Sequence, residues 1–440
     1  MDAVKNFEII KKYNIIKDDS CEKFELIGKN FNINRLRVEW DNHSNQQEMK
    51  IHIGFHSYVF IKRKQGVLKS DYEINKNFID FLKDLLSESE RLLLYDEVVK
   101  HIKTKSMLLY MLDFAMVDDE EKNALLDVFV NIINIYEKWS SETYESRNIC
   151  FCIGVDCNID EYSDSTLDLI QANGALESMF KVITNGIDTM VVCNKFGQIC
   201  KFYELTQESK NPYSTKKRKH YFYPQVFSKI SSWSYLKRFS FVLTQQGEIL
   251  IFQNKSLVFA KRRGEWLSLS PKSLTHRMLK SQNASVALKE AVLDTCLDVS
   301  FSRSGACIGI INSGSQIPNC VLEGSRISTS MEHKVVALRK LINGKKFHEL
   351  GRRVRKELAA IDGAIVIDGS GNIHTVGAIL DNSSSTSRSG SGGRTVAAQT
   401  LAKSGCGIKV SADGKIEAWQ KNDTGDYESI FTLEDVRHVF

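Results

Sequence analysis

No stretch of the 440-residue chain holds the roughly 18 uninterrupted apolar residues that a membrane span requires. Its first segment, MDAVKNFEIIKKYNIIKDDS, lacks the apolar core of a signal peptide, so a cytoplasmic protein is expected. An excess of one charge is missing too: 59 Lys and Arg against 54 Asp and Glu leave a formal +5, too little over this length to announce a nucleic-acid partner. Ten cysteines are present, but the compact group Cys150, Cys152 and Cys157 in CFCIGVDC has no second cluster at finger-like spacing. The cysteines therefore read as free thiols in a reducing compartment, several of them small hydrophobes within apolar runs such as TMVVC and SGACIGII. What is present is an ordinary globular mix, 42% hydrophobic and 26% charged, and the length predicts two or three domains.

Along the chain, three regions follow from patterning: 1–150 as an α+β region, 151–275 as a mixed region ending in β-hairpins, and 280–425 as an α/β domain. In the first, NRLRVEW and MKIHIGFHSYVFIKRK read as strands, with His52 and His56 on one strand face and no further ligating company. From about Asn75 to Ser140 the period becomes helical, with Phe78, Phe81, Leu82, Leu85 and Leu86, then Leu125, Leu126, Phe129, Ile132, Ile133 and Tyr136, recurring at three and four. The second region holds MVVCNKFGQICKFYEL and FSFVLTQQGEILIFQNKSLVFAKRRGEW, apolar strands about glycine-bearing turns. Between them KKRKH, Lys216 to His220, reads as a solvated loop or a phosphate-contacting patch.

One internal echo crosses these regions. Ile187, Asp188, Val192, Gly197 and Ile199 match Ile361, Asp362, Val366, Gly371 and Ile373 at one constant offset, 362 minus 188 being 174. It marks either a duplicated module or two ordinary strand, glycine turn, strand units.

The last 160 residues alternate helices with short, fully apolar strands, which predicts a mixed sheet covered by helices on both faces. ASVALKEAVLDTCLDVSFS reads as a helix with a stripe at Ala287, Ala291, Leu293 and Leu297. KFHELGRRVRKELAA reads as another, whose inner stripe is Phe347, Leu350, Val354 and Leu358. Asp362 follows directly, at the junction with the buried strand AIVID, where a carboxylate can hold a divalent cation or draw a proton from a sugar hydroxyl. Gly363 after it allows a ligand close to the backbone. Further on, SGSGGRTVAAQTLAKS leads glycines into a helix, whose free first amides and dipole attract phosphate. Arg394 adds a cationic fork and Thr395 a hydroxyl, but no G-x-x-x-x-G-K-S/T is readable, so this is not a P-loop. By itself, 382–393 also reads as a flexible tether.

The order of these parts, ACIGII, a helical insertion, DGA opening a strand, GAIL closing the next, GGRTVAA opening a helix and a strand ending in VS, resembles the diadenylate cyclase domain family over about residues 285 to 420. That family includes the bacterial DNA-integrity-scanning protein and membrane-bound cyclases, and joins two ATP molecules into cyclic di-AMP with a divalent metal, using two domains face to face. The resemblance implies a nucleotide-binding set of Asp362, Gly363, Ala364, Gly377, Leu380, Gly392, Gly393, Arg394, Thr395 and Ser411, with Gly377 and Leu380 against adenine. It implies Mg²⁺ or Mn²⁺ at Asp362, which would be catalytic only if the chain is active, and a homo-oligomer.

The family's G-T-R-H-R-A-A falls on residues 392–398, and of its three basic residues only the first, Arg394, is kept. Thr395 and Val396 stand where the family has a histidine and a second arginine, and Ala412 follows Ser411 where a carboxylate is expected. Losing one such charge-stabilising donor raises a barrier by about 2–4 kcal/mol. The expectation is therefore an adenine-nucleotide or cyclic-dinucleotide sensor acting in signalling. The alternatives are an active diadenylate cyclase, with groups such as His374 or Lys409 as replacements, and a nucleic-acid-binding regulator acting through Lys216 to Lys219.

Overall fold

The computed structural model describes residues 21–27, 37–40, 48–54, 57–63, 69–88, 96–113, 115, 117–159, 180–205, 221–268, 284–312, 319–381, 392–421 and 427–432. His56 and the Lys216–His220 run lie outside them. The chain divides into two compact units, one of Met1–Thr215, Phe227–Leu269 and Asp435–Phe440, the other of Lys216–Val226 and Ser270–Glu434.

The first unit opens with β1 (Cys21–Ile27), β2 (Arg37–Glu39), β3 (Glu48–Gly54) and β4 (Ser57–Arg63), an antiparallel sheet in the order β1-β4-β3-β2. His52 on β3 is engaged with Glu39 of β2 at 2.5 Å. Helices α1 (Lys69–Glu88), α2 (Asp96–Asp113) and α3 (Asp119–Trp139) follow, as the change of period predicts. Asp118 caps α3 by accepting from the Glu121 amide at 2.8 Å. After the two-residue strands β5 (Thr143–Tyr144) and β6 (Arg147–Asn148) come β7 (Phe151–Asp156), β8 (Thr189–Cys193), β9 (Ile199–Glu204), the short helix α4 (Ser228–Trp233), β10 (Arg238–Leu243), β11 (Ile249–Gln253), β12 (Ser256–Arg262) and β13 (Glu265–Ser268). These strands form one sheet, in the order β13-β12-β11-β10-β7-β8-β9. On one face Phe129, Ile132, Tyr136 and Trp139 of α3 pack with Phe151, Ile153, Phe239 and Phe241 in a single apolar cluster. Cys152, Cys157 and Cys193 are buried free thiols in or beside this sheet.

The second unit contains α5 (Val286–Phe301), β14 (Ala306–Ile311), α6 (His333–Ile342), α7 (Arg352–Ala360), β15 (Ala364–Asp368), β16 (Ile373–Ala378), α8 (Gly393–Ala402), β17 (Gly405–Val410), β18 (Ile416–Lys421) and β19 (Tyr427–Thr432). Its sheet runs β19-β18-β17-β14-β15-β16, mixed, with only β14 and β15 parallel. β14 and β15 are buried at every residue, the signature of strands covered on both faces. Cys307, Ile311, Ala364 and Val366 meet Ala398, Leu401 and Ala402 of α8 on one face.

Six strands of the first unit's seven-stranded sheet follow the same order as the six strands of the second sheet, with β13 as the one extra strand. In each, a helix precedes the central strand (α3 then β7, α5 then β14), which pairs parallel with the next strand and antiparallel with the strand two further on. Gly154 of β7 faces Val192 and Ser240; Gly309 of β14 faces Val366 and Gly407. The hairpin β8–β9 shifts register after Val192, and β15–β16 shifts after Val366. The turns share two bonds: Asn194 Oδ1 accepts from the amides of Phe196 and Gln198, and Asp368 Oδ1 from those of Ser370 and Asn372. Gly197 and Gly371 adopt φ +80° and +89°, a region that favours glycine. The constant-offset echo is thus one hairpin of a module present twice.

Two helical stripes differ from expectation. Phe347 sits in a short 3₁₀ turn, and α7 begins at Arg352; its buried residues are Arg355 and Ala359, while Val354 is 49% exposed. The inner face of α7 is polar because Arg352 engages Asp298 through Nε at 2.6 Å and through Nη2 at 2.8 Å, and lies 3.3 Å from Asp294. Arg355 donates to the Leu350 carbonyl at 2.6 Å. Buried arginines are tolerated when paired in this way. In α5, Ala287 is exposed and nearly every residue from Leu288 to Ser300 is covered.

Candidate functional site

Pairing in the second sheet sets Ala364 beside Cys307, and Ala306 beside Val410. The start of β15, the start of β14 and the end of β17 therefore share one sheet edge. Asp362, Gly305 and Ser411 all lie at that edge, with Ser411 two strands, about 10 Å, from Asp362.

Close approach is built with glycines. Gly363, at φ +104°, lies against the backbone of Gly377, at φ +67°; a Cβ at Gly363 would stand 2.5 Å from the Gly377 carbonyl carbon. Gly309 and Gly407, partners across β14 and β17, form the seat of α8: a Cβ at Gly309 would come within 2.9 Å of Leu401, and one at Gly407 would overlap the Ala398 carbonyl. With the helix seated this low, its second residue reaches the sheet edge. The Arg394 guanidinium rests against Gly305, where any Cβ would collide with it, and its Nη2 stands 3.9 Å from Asp362 Oδ1. The Asp362 side chain is wholly exposed and that of Arg394 42% exposed, so both charged groups face solvent.

Gly392 is the N-cap of α8, and among the described residues no atom lies within 4 Å of where a Cβ would sit on it or on Gly393. Among the described residues, the start of α8 is a helix N-terminus beside the Arg394 cation, an arrangement that suits anions. Thr395 and Val396 are half-buried in the first turn. Ser411 opens the β17–β18 turn, its amide bonded to the Lys415 carbonyl at 2.8 Å. Ala364 is buried in the core. Leu380 is buried as well, bridging to Val321, whereas Ile379 and Ile361 are the neighbours that show apolar surface, 70% and 42% exposed.

His374 and Lys409, the candidate additional cations, lie elsewhere or are engaged. His374 stands 3.2 Å from Asp368, at the opposite end of β15, and Lys409 is paired with Glu417 at 2.9 Å. Sequence reasoning missed Gly305, the Ile361 and Ile379 rim, and the Arg352–Asp298 pair that anchors the helix leading to Asp362. Of these, GACIGII after a capped helix was the one available signal.

A divalent cation held by protein alone needs several oxygen ligands. Asp362 supplies one carboxylate, and no group of three His, Cys, Asp or Glu able to hold a metal occurs among the described residues. A single exposed carboxylate does not by itself hold Mg²⁺ or Mn²⁺. Among the described residues no helix is long and apolar enough to cross a membrane.

No family model matches the chain, and no curated protein matches it. Among solved structures, a double-cysteine mutant of DacA from Staphylococcus aureus is similar at 17% identity, over 34% of this chain and 94% of that one, with a TM-score of 0.22. At that level the likeness is distant.

Proposed function

We propose that the second unit is an adenine-nucleotide-binding sensor module that holds its ligand at the Asp362–Arg394 edge. The observation that carries this reading is the solvent-facing pair itself, an acid and an arginine 3.9 Å apart on a glycine floor at the start of α8. Arg394 and the first helix amides suit phosphate oxygens, and Asp362 suits a ribose hydroxyl or a phosphate-borne metal ion. The exposed Ile361 and Ile379 offer apolar cover for a base. Binding is favoured over synthesis because Thr395 and Val396 follow Arg394, leaving one cation where a leaving pyrophosphate asks for several. Mg²⁺ or Mn²⁺ would enter with the nucleotide and neutralise its phosphates.

Titration calorimetry with ATP, and with cyclic di-AMP, in the presence of Mg²⁺ tests the reading. Saturable binding is expected, weakened about 30-fold by Arg394→Ala, the loss of roughly 2 kcal/mol of charged hydrogen bonding. Release of pyrophosphate and a cyclic product, abolished by Asp362→Asn, would instead make the chain a cyclase.

A further inference from the structure

In the first unit, α4 packs on the sheet through the buried Ile230 and Ser231. The Trp233 ring of α4 rests against Gly154 together with the Met190 sulfur; a Cβ at Gly154 would stand 2.6 Å from the ring and 2.9 Å from Met190 Sδ. Leu401 occupies the corresponding place over Gly309 in the second unit. Beside Trp233 is an open cavity of about 230 Å³ lined by Tyr203, Lys229, Trp233, Tyr235, Leu236 and Arg238 among others. Lys229 stands 3.4 Å from Asp188, which precedes β8 as Asp362 precedes β15, so the acid–cation pair is repeated. Arg238 engages Asp156 through Nε at 2.9 Å and sets its guanidinium 5.5 Å from the centre of the Trp233 ring.

Two observations mark this cavity as more than a packing gap. Tyr235 and Leu236 are 45% and 53% exposed, large apolar side chains held at the rim. Leu236 also adopts φ +60°, a left-handed conformation that is strained for a residue of its bulk and that clusters at binding sites.

We infer that the first unit carries a second small-molecule site, one that takes a flat aromatic ring bearing an anionic group. The aromatic walls suit the ring, and Lys229 and Arg238 suit the anion. The volume accommodates a ring system, while a sugar or side chain with its phosphate or carboxylate would stay at the open margin.

The test uses the full chain carrying Arg394→Ala, so that failure of the nucleotide site in the second unit is kept apart from failure of this one. Calorimetry is run with AMP, with indole-3-acetate, and with ribose 5-phosphate as the ringless control. Binding of AMP or indole-3-acetate is expected, and which of them binds identifies the anion as phosphate or carboxylate. Tyr235→Ala, Trp233→Leu and Lys229→Gln should each weaken it about tenfold, the scale of a lost stacking or charge contact. Tyr235→Ala alters an exposed side chain and keeps the test decisive if Trp233→Leu does not fold. No binding of either aromatic probe at low-millimolar concentration, equal binding of ribose 5-phosphate, or unchanged affinity in folded variants would overturn the proposal.

Discussion

At the turn joining β15 to β16, the Asp368 carboxylate receives two backbone amides and the Asn372 side chain, while Asn194 fills the same position in the first unit with an amide oxygen. Burial pushes the Asp368 carboxyl up, but the hydrogen bonds from Asn372 and Ser370, with His374 beside it, outweigh burial and hold it below its ordinary value. An acid depressed in the folded state stabilises it above the unfolded pKa, about 3.9, and that contribution is lost as the pH falls through the lower folded value. Asp368→Asn is therefore expected to cost about 1 kcal/mol or less near neutral pH, since Asn194 shows that the turn closes with an amide, and to flatten the loss of stability below about pH 4. Denaturant titrations of both proteins at neutral and acid pH measure the difference. This turn was legible because its chemistry is local: an Asx residue, a glycine at positive φ and flanking apolar strands leave the same trace wherever they occur.

At the scale of elements, the seat of α8 determines where Arg394 arrives. Gly407→Ala places a methyl group against the Ala398 carbonyl, part of the helix backbone, whereas Gly309→Ala meets only the end of the Leu401 side chain. The first should cost about 3 kcal/mol and the second about 1, because a rotamer yields more readily than a helix. Gly407→Ala should also weaken nucleotide binding beyond Gly309→Ala, by lifting Arg394 away from Gly305; unfolding midpoints and calorimetric affinities of the two variants check both parts. The helix α7 shows where sequence reading stopped. Periodicity assigns arginines to the solvent side and Val354 to the core, but Arg352 and Arg355 are the residues turned toward α5, because Asp294 and Asp298 await them there. Nothing in the local sequence of α7 reports a partner some fifty residues away.

At the scale of the whole molecule, the nine cysteines whose side chains are described are thiols outside any disulfide. Burial pushes their thiols up, to about 11 at Cys150 and about 12 at Cys157, Cys307 and Cys406. Since the thiolate is the reactive form, these thiols should react slowly with a disulfide reagent near pH 8 in the native protein. Cys150, Cys200 and Cys320, the half-buried three, should react first, and full reactivity should appear only on unfolding. Mass spectrometry of partly labelled protein gives the order. The α/β class of the second unit was legible in its alternating helices and apolar strands. The repetition of the module was legible only in one hairpin, because insertions of unequal length separate the other matching strands, and a central glycine with one apolar neighbour on each side is too short a signature to align.

Gly154 and Gly309 hold equivalent places, yet one supports a tryptophan and the other a leucine. In an assembly of identical subunits, one codon change alters every copy of a pocket at once. Here the two proposed sites are encoded separately, so a substitution at one, such as Trp233 over Gly154, leaves the residues of the other unchanged.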